Sequence, residues 1–173
     1  MPCRRTPRSA PQGLERAPNV WAFLFNHWPS AATRKLLEGR ETEAHWTLLE
    51  SLVANPPTAE QVLTNLAARD RMRASLLRQM ESVSVLLMPV CGITAFQHRR
   101  RAWEFEGREI GLFQAMMPAV VANVLGLPAV TIPITRSREG LPIGVQLVGR
   151  PYEDERVLDL AVHLEEARGP LAA

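Results

Sequence analysis

The C-terminal third of the chain has the clearest pattern of apolar and polar positions. Residues 130–134 and 143–148 are apolar and rich in β-branched side chains, and a polar loop that ends in a glycine, residues 135–140, separates them. Short apolar runs on either side of a turn predict two adjacent buried strands. Residues 153–168 begin with acidic side chains and are apolar at every third or fourth position, which predicts an amphipathic helix. The side chains expected to face the core are Val157, Leu160, Ala161 and Leu164.

Three helices are predicted in the first half of the chain. Ser30 follows a proline and is expected to cap a helix that ends at Gly39, and residues 42–54 predict a second helix. Thr58 and Gln61 have the spacing of a capping box, which predicts a third, long helix. The core-facing side chains expected on this helix are Val62, Leu63, Leu66, Leu76, Leu77 and Met80.

The middle of the chain predicts one more strand and a helical connection. Residues 83–90 form an apolar run typical of a buried strand. The segment after it, through Trp103 and Met116, is interpreted as a helical excursion that leads to the two C-terminal strands, and Met116 and Met117 are expected in the core. Three strands flanked by at least five helices predict an α/β domain.

Length and composition are those of one soluble domain. The chain has 173 residues, of which 46% are apolar and 22% charged, enough for a substantial core. Residues 1–18 are rich in proline and arginine and lack an apolar period, so they predict a disordered tail, and residues 19–173 predict the folded domain. Cys3 and Cys91 are too few and too unlike in context for a disulfide framework, which favours a cytoplasmic location.

No cofactor, metal ion, nucleic acid or membrane is expected as a partner. The histidines and cysteines have neither H-x-x-x-H nor C-x-x-C spacing. The basic cluster at residues 98–101 is followed closely by glutamates and is interpreted as a solvated loop. The uncharged residues 110–135 are interrupted by prolines and polar side chains, so a buried helix followed by a buried strand explains them better than a membrane span.

Two blocks of the sequence carry a resemblance to a known family. Residues 123–129 have the pattern N-x-x-G-x-P-A, and residues 140–149 read G-L-P-I-G-V-Q-L-V-G. A strand and loop found in many bacterial members is similar to residues 85–89 followed by Ala95, Phe96, His98, Trp103 and Gly107. Over about residues 21–168 the chain resembles the C-terminal half of the amidase signature family, which hydrolyses carboxylic amides. The resemblance implies an α/β fold in which the chain forms the C-terminal portion of the family's mixed β-sheet, flanked by helices.

The resemblance also implies a Ser-Ser-Lys triad whose serines lie in a Gly-Gly-Ser-Ser-Gly-Gly type loop. In this chain no two glycines and no two serines are adjacent, and the one lysine, Lys35, has the setting of a polar helix face. A serine becomes a nucleophile only beside a base, and the oxyanion needs preorganised donors. We therefore assign no catalytic residue and expect a C-terminal amidase fragment that lacks the triad and is inactive alone. A truncated gene, a misannotated start and a true split subunit stay open as its origin.

The resemblance suggests where substrate would lie. In full-length relatives the loop after residue 90 and the helix before Gly126 are near the acyl pocket, so Ile93, Phe96 and Met117 are candidate substrate-lining residues. Asn123 is expected to bond with backbone at a helix end rather than with substrate.

Cys91 and His98 allow a second interpretation of the same loop. They could be argued as a thiolate and its base in a cysteine hydrolase, but a buried structural cysteine is favoured, because free cysteine is among the most buried residue types.

The expected partners follow from the family. They are a small amide substrate and, because part of a larger sheet would lack its neighbours, an N-terminal amidase half or a second copy of the chain. Two alternatives stay open: a non-catalytic module that binds a small molecule or a protein, and one subunit of a split amidase. Binding without turnover would indicate the first, and a separate gene for the Ser-Ser-Lys half would indicate the second.

Overall fold

A computed structural model describes residues 10–170 of the chain. The helices are α1 (Ala17–Ala22), α2 (Ser30–Leu37), α3 (Trp46–Ser51), α4 (Ala59–Gln79), α5 (Leu112–Ala115), α6 (Val120–Leu125) and α7 (Asp154–Arg168). The strands are β1 (Val85–Pro89), β2 (Ala102–Phe105), β3 (Arg108–Gly111), β4 (Ala129–Arg136) and β5 (Pro142–Gly149). A π-helical turn, Phe23–His27, follows α1, and 3₁₀ turns lie at Glu41–Glu43 and Met117–Ala119. This mixture of helices and small sheets confirms the predicted α/β class.

The main sheet contains the three predicted strands. Its order is β1-β5-β4, and both pairs are antiparallel, with Val85 opposite Gly149 and Ile132 opposite Val145. β5 is the middle strand, so it pairs along both of its edges. Within residues 10–170, the outer edges of β1 and β4 pair with no further strand.

Each face of this sheet carries its own core. On one face, Leu86 and Val148 pack with residues of α1, α4 and α6. On the other face, Ile132 and Leu147 pack against α7 through Val157. Because successive side chains of a strand point to opposite faces, the neighbours Leu147 and Val148 of β5 each belong to a different core.

Helix α4 begins as predicted. The hydroxyl of Thr58 accepts a hydrogen bond from the backbone N–H of Gln61 at 3.2 Å, and Gln61 Oε1 accepts one from the backbone N–H of Thr58 at 2.9 Å. Leu76 and Met80 are buried as expected. Leu63 was assigned wrongly, since it is 66% exposed. The buried residues of α4 begin only at Ala68, so its first turns extend beyond the core.

The two shorter predicted helices differ in detail from the expectation. Pro29, not Ser30, occupies the N-cap of α2, and the Ser30 hydroxyl donates to the carbonyl of Asn26 and accepts from Val53 N–H at 2.9 Å. The helix predicted over residues 42–54 is divided into a 3₁₀ turn and α3, which ends at Ser51.

The helical excursion predicted through Trp103 is wrong. β2 and β3 form an antiparallel hairpin in which Trp103 lies opposite Ile110. Its turn is Glu106–Gly107, and both residues have positive φ, 49° and 73°, as a tight hairpin turn requires. Helical structure resumes only at Leu112.

Part of the segment predicted as a tail packs against the core. Residues 1–9 lie outside the described residues, and for them the tail stays a prediction. From residue 10 onward the structure differs: Gln12 N–H donates to Gln79 Oε1 at 2.9 Å, Leu14 packs on the core and Ala17 is fully buried. Leu14 and Ala17 supply apolar surface that the arginines and prolines around them obscure in the sequence.

Helix α7 has the predicted bounds and most of the predicted face. Val157 and Ala161 are buried, but Leu160 was assigned wrongly and is 37% exposed, because α7 packs over β4 and β5 and leaves that side of the helix open. Just before the helix, a hydrogen bond from the Arg150 guanidinium lowers the pKa of the Glu153 carboxyl, and the charge of Arg156 acts in the same direction. None of the helices within residues 10–170 combines the length and the apolar character that crossing a bilayer requires.

Candidate functional site

An open cleft of about 580 Å³ lies beside α1 and α6, on the face of the main sheet opposite α7. Its walls come from α1, α3, the loop after β1, α5 and α6. The lining residues are Trp21, Thr47, Leu48, Ser51, Phe96, Leu112, Phe113, Met116, Met117, Ala119, Val120 and Asn123. This volume lies in the range of small-molecule pockets, and the wall is dominated by aromatic and aliphatic side chains.

Backbone and thiol contacts fix the wall that α5 provides. The N–H of Gly92 donates to the carbonyl of Ala115 at 2.7 Å, and the Cys91 thiol donates to the same carbonyl at 3.1 Å. The N–H of Leu112 donates to the carbonyl of Arg101 at 3.1 Å, which joins α5 to the hairpin. The loop after β1, the hairpin and α5 therefore form one connected side of the cleft.

Gln146 connects the main sheet to this wall. It is a buried polar residue of β5, only 4% exposed, and its Nε2 donates to the carbonyls of Pro89 at 2.7 Å and Pro118 at 3.0 Å. Pro118 is the neighbour of Met117, so the amide positions the cleft wall without lying in it. In the sequence, Gln146 is the single amide of an otherwise apolar strand. That pattern indicates a buried, paired polar side chain, but the family motif alone assigns it no structural role.

The polar side chains of the cleft are largely paired with protein groups. Trp21 Nε1 donates to Asn123 Oδ1 at 3.3 Å, and the Ser51 hydroxyl donates to the carbonyl of Leu48 at 2.7 Å. Thr47 Oγ1 lies 2.8 Å from His45 Nδ1. The expectation that the Asn123 side chain bonds with backbone is therefore wrong, because it accepts its hydrogen bond from the indole N–H of Trp21 in α1. No lining residue carries a charge.

The three candidate substrate residues divide between two sites. Phe96 and Met117 line the cleft. Ile93 lies instead in a smaller pocket of about 200 Å³, beside Cys91 and Thr131. Whether any of the three contacts substrate stays a prediction.

Met116, Cys91 and Lys35 lie in three different surroundings. Met116 was assigned wrongly to the core: it is 41% exposed and lines the cleft. Cys91 is half-buried, and its thiol contacts the Ala115 carbonyl and, at 3.6 Å, the sulfur of Met116, while His98 is exposed. Lys35 is exposed on α2, as predicted. Across residues 10–170, no three His, Cys, Asp or Glu side chains are grouped so that they could hold a metal ion.

The sequence gives no indication that α3 forms a wall of the cleft. In the structure, Arg101 holds this helix in place. The helix has no buried residue of its own. The guanidinium of Arg101 lies 3.7 Å from the ring centroid of Trp46, and its Nη1 is 3.3 Å from Glu50 Oε1. Two backbone carbonyls after α3 are also bound, since Arg34 Nη2 donates to Leu52 at 3.0 Å and His27 Nε2 lies 3.0 Å from that of Asn55. Arg101 thus fastens one wall of the cleft to the hairpin on the other side.

Replacing Arg101 with alanine is expected to loosen α3 while the rest of the chain stays folded. An exposed cation–π contact contributes about 0.5–1 kcal/mol, and an exposed ion pair adds ~0–1 kcal/mol. Amide hydrogen exchange should therefore accelerate several-fold in residues 46–51 and stay unchanged in β5. Arg100→Ala is the control, because Arg100 lies over Trp103 of its own hairpin. Equal exchange in α3 of the Arg101→Ala variant and the parent chain would contradict the assignment.

Comparisons with known proteins agree with this architecture. The amidase family model matches residues 22–158. The chain is 33% identical over 127 residues to a fatty acid amide hydrolase of Arabidopsis thaliana, covering 73% of this chain and 20% of that protein. It is 35% identical over 103 residues to a glutamyl-tRNA(Gln) amidotransferase subunit of Prochlorococcus marinus (strain MIT 9313), covering 57% of this chain and 20% of that protein. The chain thus spans about a fifth of the length of these curated relatives.

Solved structures give the same result for the fold. A crystal structure of an amidase superimposes with a TM-score of 0.78 at 26% identity, over 90% of this chain and 36% of the other. A 6-aminohexanoate cyclic dimer hydrolase complexed with substrate gives a TM-score of 0.70 at 24% identity, over 95% of this chain and 38% of the other. Since the family model matches most of the sequence and the fold agrees, the chain belongs to the amidase family, the amidase signature hydrolases that its sequence resembles.

Proposed function

We propose that this chain supplies the substrate side of an amidase, and that the catalytic serine and its base come from polypeptide outside residues 10–170. The observation that carries the proposal is the cleft, which is built largely from the segments that resemble the family and is lined by Phe96 and Met117. The reaction is hydrolysis of a carboxylic amide. A serine oxygen attacks the carbonyl carbon, the C–N bond breaks with release of ammonia or an amine, and water then releases the acid from the acyl-enzyme.

The described side chains favour an external nucleophile. Ser51 is the serine that lines the cleft, and its hydroxyl donates to a backbone carbonyl rather than to a base. Lys35 is on α2 and is not among the lining residues. A serine hydroxyl without an adjacent base is a weak nucleophile. We therefore propose that the chain alone does not turn over amides.

The partner that we propose is an N-terminal amidase segment, in the same polypeptide or in a second one. The fraction of the relatives' length that the chain spans supports this, as does the outer edge of β1, which pairs with no strand in the described residues. One relative is by name a subunit of a larger enzyme. A second copy of this chain is the alternative partner for that edge. The two unlike cysteines support a cytoplasmic location.

Ammonia release tests the catalytic part of the proposal. The purified chain should release no ammonia above background from acetamide, benzamide, a long-chain fatty amide or glutamine, because no Ser–Lys pair lies beside the cleft within residues 10–170. Co-expression with the Ser-Ser-Lys portion of a related amidase should restore release from at least one of them. The control is the same pair with the partner's triad lysine replaced by alanine. Product release by the chain alone that disappears in Ser51→Ala would contradict the proposal.

Binding without turnover is a second candidate function. One observation favours it: the apolar cleft is present in this chain without a partner, so it offers a surface for a small molecule to bind. If the co-expressed pair stays inactive while the chain binds amides, the binding module becomes the better account.

A further inference from the structure

We infer that a second pocket, beside the middle of α4, binds a small carboxylic acid with an aromatic body. This α4 pocket has a volume of about 300 Å³ and lies between the π-helical turn after α1, helix α4 and the C-terminal end of α6. The residues that give it its character are Phe25, Trp28, Arg69, Arg73 and Gly126. None of these lines the cleft, so the inference concerns a separate site and goes beyond the proposed function.

Two arginines give the α4 pocket its charge. Arg69 and Arg73 are four residues apart on α4, so they lie on the same face of the helix. Both are half-buried. Among the described residues that line the pocket there is no aspartate or glutamate. The wall therefore carries a positive charge that it does not itself neutralise, and such a wall favours an anionic ligand.

Arg73 is the arginine that a ligand can reach as an unpaired cation. Within residues 10–170 no carboxylate lies at ion-pair distance from it, whereas Arg69 is paired with Asp70 at 2.9 Å. Arg73 Nη1 lies 3.7 Å from the position that a Cβ at Gly126 would take. Gly126 has a φ of 59°, in the left-handed region that favours glycine. Position 126 therefore places no side chain in front of the guanidinium.

A carboxylate suits this arrangement better than other anions. A guanidinium offers two parallel N–H donors that match the two oxygens of a carboxylate, and the pairing is charge-assisted. One unpaired arginine balances the single charge of a carboxylate. A phosphate monoester carries nearly two charges at neutral pH and has three acceptor oxygens, so one guanidinium would leave it partly unpaired.

The aromatic part of the wall determines the body of the ligand. Phe25 and Trp28 are 48% and 45% exposed, so each presents part of its ring to a ligand. Phe25 is stacked on Trp21 with ring centroids 5.8 Å apart, which restrains its orientation. The volume of about 300 Å³ is at the lower end of small-molecule pockets. It accommodates one aromatic ring with a short acidic chain, and a long alkyl chain would extend into water.

Two ligands of nearly equal size and shape test the preference for an acid. Binding of 3-phenylpropionate and of 3-phenylpropanamide to the purified chain is measured by titration calorimetry. We expect the acid to bind at least about tenfold more tightly, because it gains a charge-assisted hydrogen bond that the amide lacks. The affinity of the acid should also fall as sodium chloride is raised, since the attraction is electrostatic.

A matched pair of arginine variants places the binding in the α4 pocket. Arg73→Gln should lower the affinity for 3-phenylpropionate at least about tenfold and leave that for the amide unchanged. Arg71→Gln is the control, because it removes the same charge from an exposed residue of α4 that does not line the pocket. In NMR spectra of the parent chain, the acid should shift the Gly126 amide and the Trp28 indole signals and leave the Phe113 amide of the cleft in place.

A third variant is expected to improve binding. Asp70→Asn removes the carboxylate that competes with a ligand for Arg69. Since the Asp70 side chain is 64% exposed, the fold should tolerate the change. We expect the affinity for 3-phenylpropionate to rise about two- to fivefold, the size of an exposed ion pair. A gain of affinity cannot result from a loss of folded protein.

Several results would overturn the inference. They are no binding of the acid, equal affinities for acid and amide, the parent affinity in folded Arg73→Gln, and no gain in Asp70→Asn. If Arg73 only stabilises the end of α6, Arg73→Gln will lower the unfolding midpoint while the parent chain binds no acid. These measurements involve no amide turnover, so an inactive co-expressed pair would count against the catalytic proposal alone.

Discussion

Replacing Gly149 with alanine should destabilise the chain by about 1–3 kcal/mol or more, the usual cost of forcing an extra methyl into a packed core. The added Cβ would overlap the Cγ2 methyl of Val157 and would also approach Pro128 Cγ. Val157 is β-branched and 2% exposed, so it cannot rotate away easily. The helix α7 must therefore shift from the sheet, and urea denaturation should report a lower midpoint.

A double variant isolates the cause of this loss. Val157→Ala removes the methyl that the new Cβ would meet, so adding Gly149→Ala in that background should cost much less than in the parent chain. Gly111→Ala is the control, because a Cβ there meets no atom within 4 Å and its φ of −83° suits any residue. Strict additivity of the two single variants would show that backbone freedom, not overlap with Val157, is what position 149 requires.

Gln146→Leu should lower the free energy of unfolding by about 2–4 kcal/mol, because it leaves two carbonyls without their donor. Leucine has nearly the volume of glutamine, so a cavity is not the cause. Pro89 is the last residue of β1, and Pro118 is the neighbour of Met117 in the cleft wall, so the two hydrogen bonds connect β1 to that wall through Gln146. We expect Met117 to lose its fixed position as well.

The measurement is chemical denaturation of Gln146→Leu beside a matched surface variant. Gln79 also donates through Nε2 to two backbone carbonyls, those of Gln12 at 3.0 Å and Ser75 at 3.2 Å, but it is exposed. Water can replace its bonds, so Gln79→Leu should cost much less. Equal losses in the two variants would show that burial does not determine the contribution of Gln146.

The elements predicted correctly from the sequence are those whose signals are local. The capping box of Thr58 and Gln61 is complete within four residues, and the strands β4 and β5 are apolar runs on either side of a turn. The β2–β3 hairpin was missed because each strand has only four residues, of which one in β2 and two in β3 are charged, so neither an apolar run nor a helical period marks it. The Glu106–Gly107 turn was the available signal.

The cleft could be predicted only in part, since it depends on contacts between distant segments. Phe96 and Met117 were found through the family resemblance and line the same cleft. Ile93 lies in the same loop after β1 as Phe96, but it lines a different pocket. The other walls of that pocket come from β4 and β5, which are distant in sequence. The contribution of α3 depends on Arg101 reaching Trp46 and Glu50, far apart in sequence. Exposed ionic contacts of this kind leave no periodic pattern.

The middle strand of the main sheet is also the last strand to be synthesised within residues 10–170. β1 is synthesised long before β5, and its partner in the sheet is β5 alone among the described strands. Until β5 emerges, Leu86 and Leu87 belong to a strand that has no neighbour among the described strands, and such non-local pairing forms slowly. Nascent chains with exposed apolar strands are prone to aggregate. The order β1-β5-β4 therefore predicts a higher yield of soluble chain when synthesis is slow, at low temperature, or when chaperones are supplied.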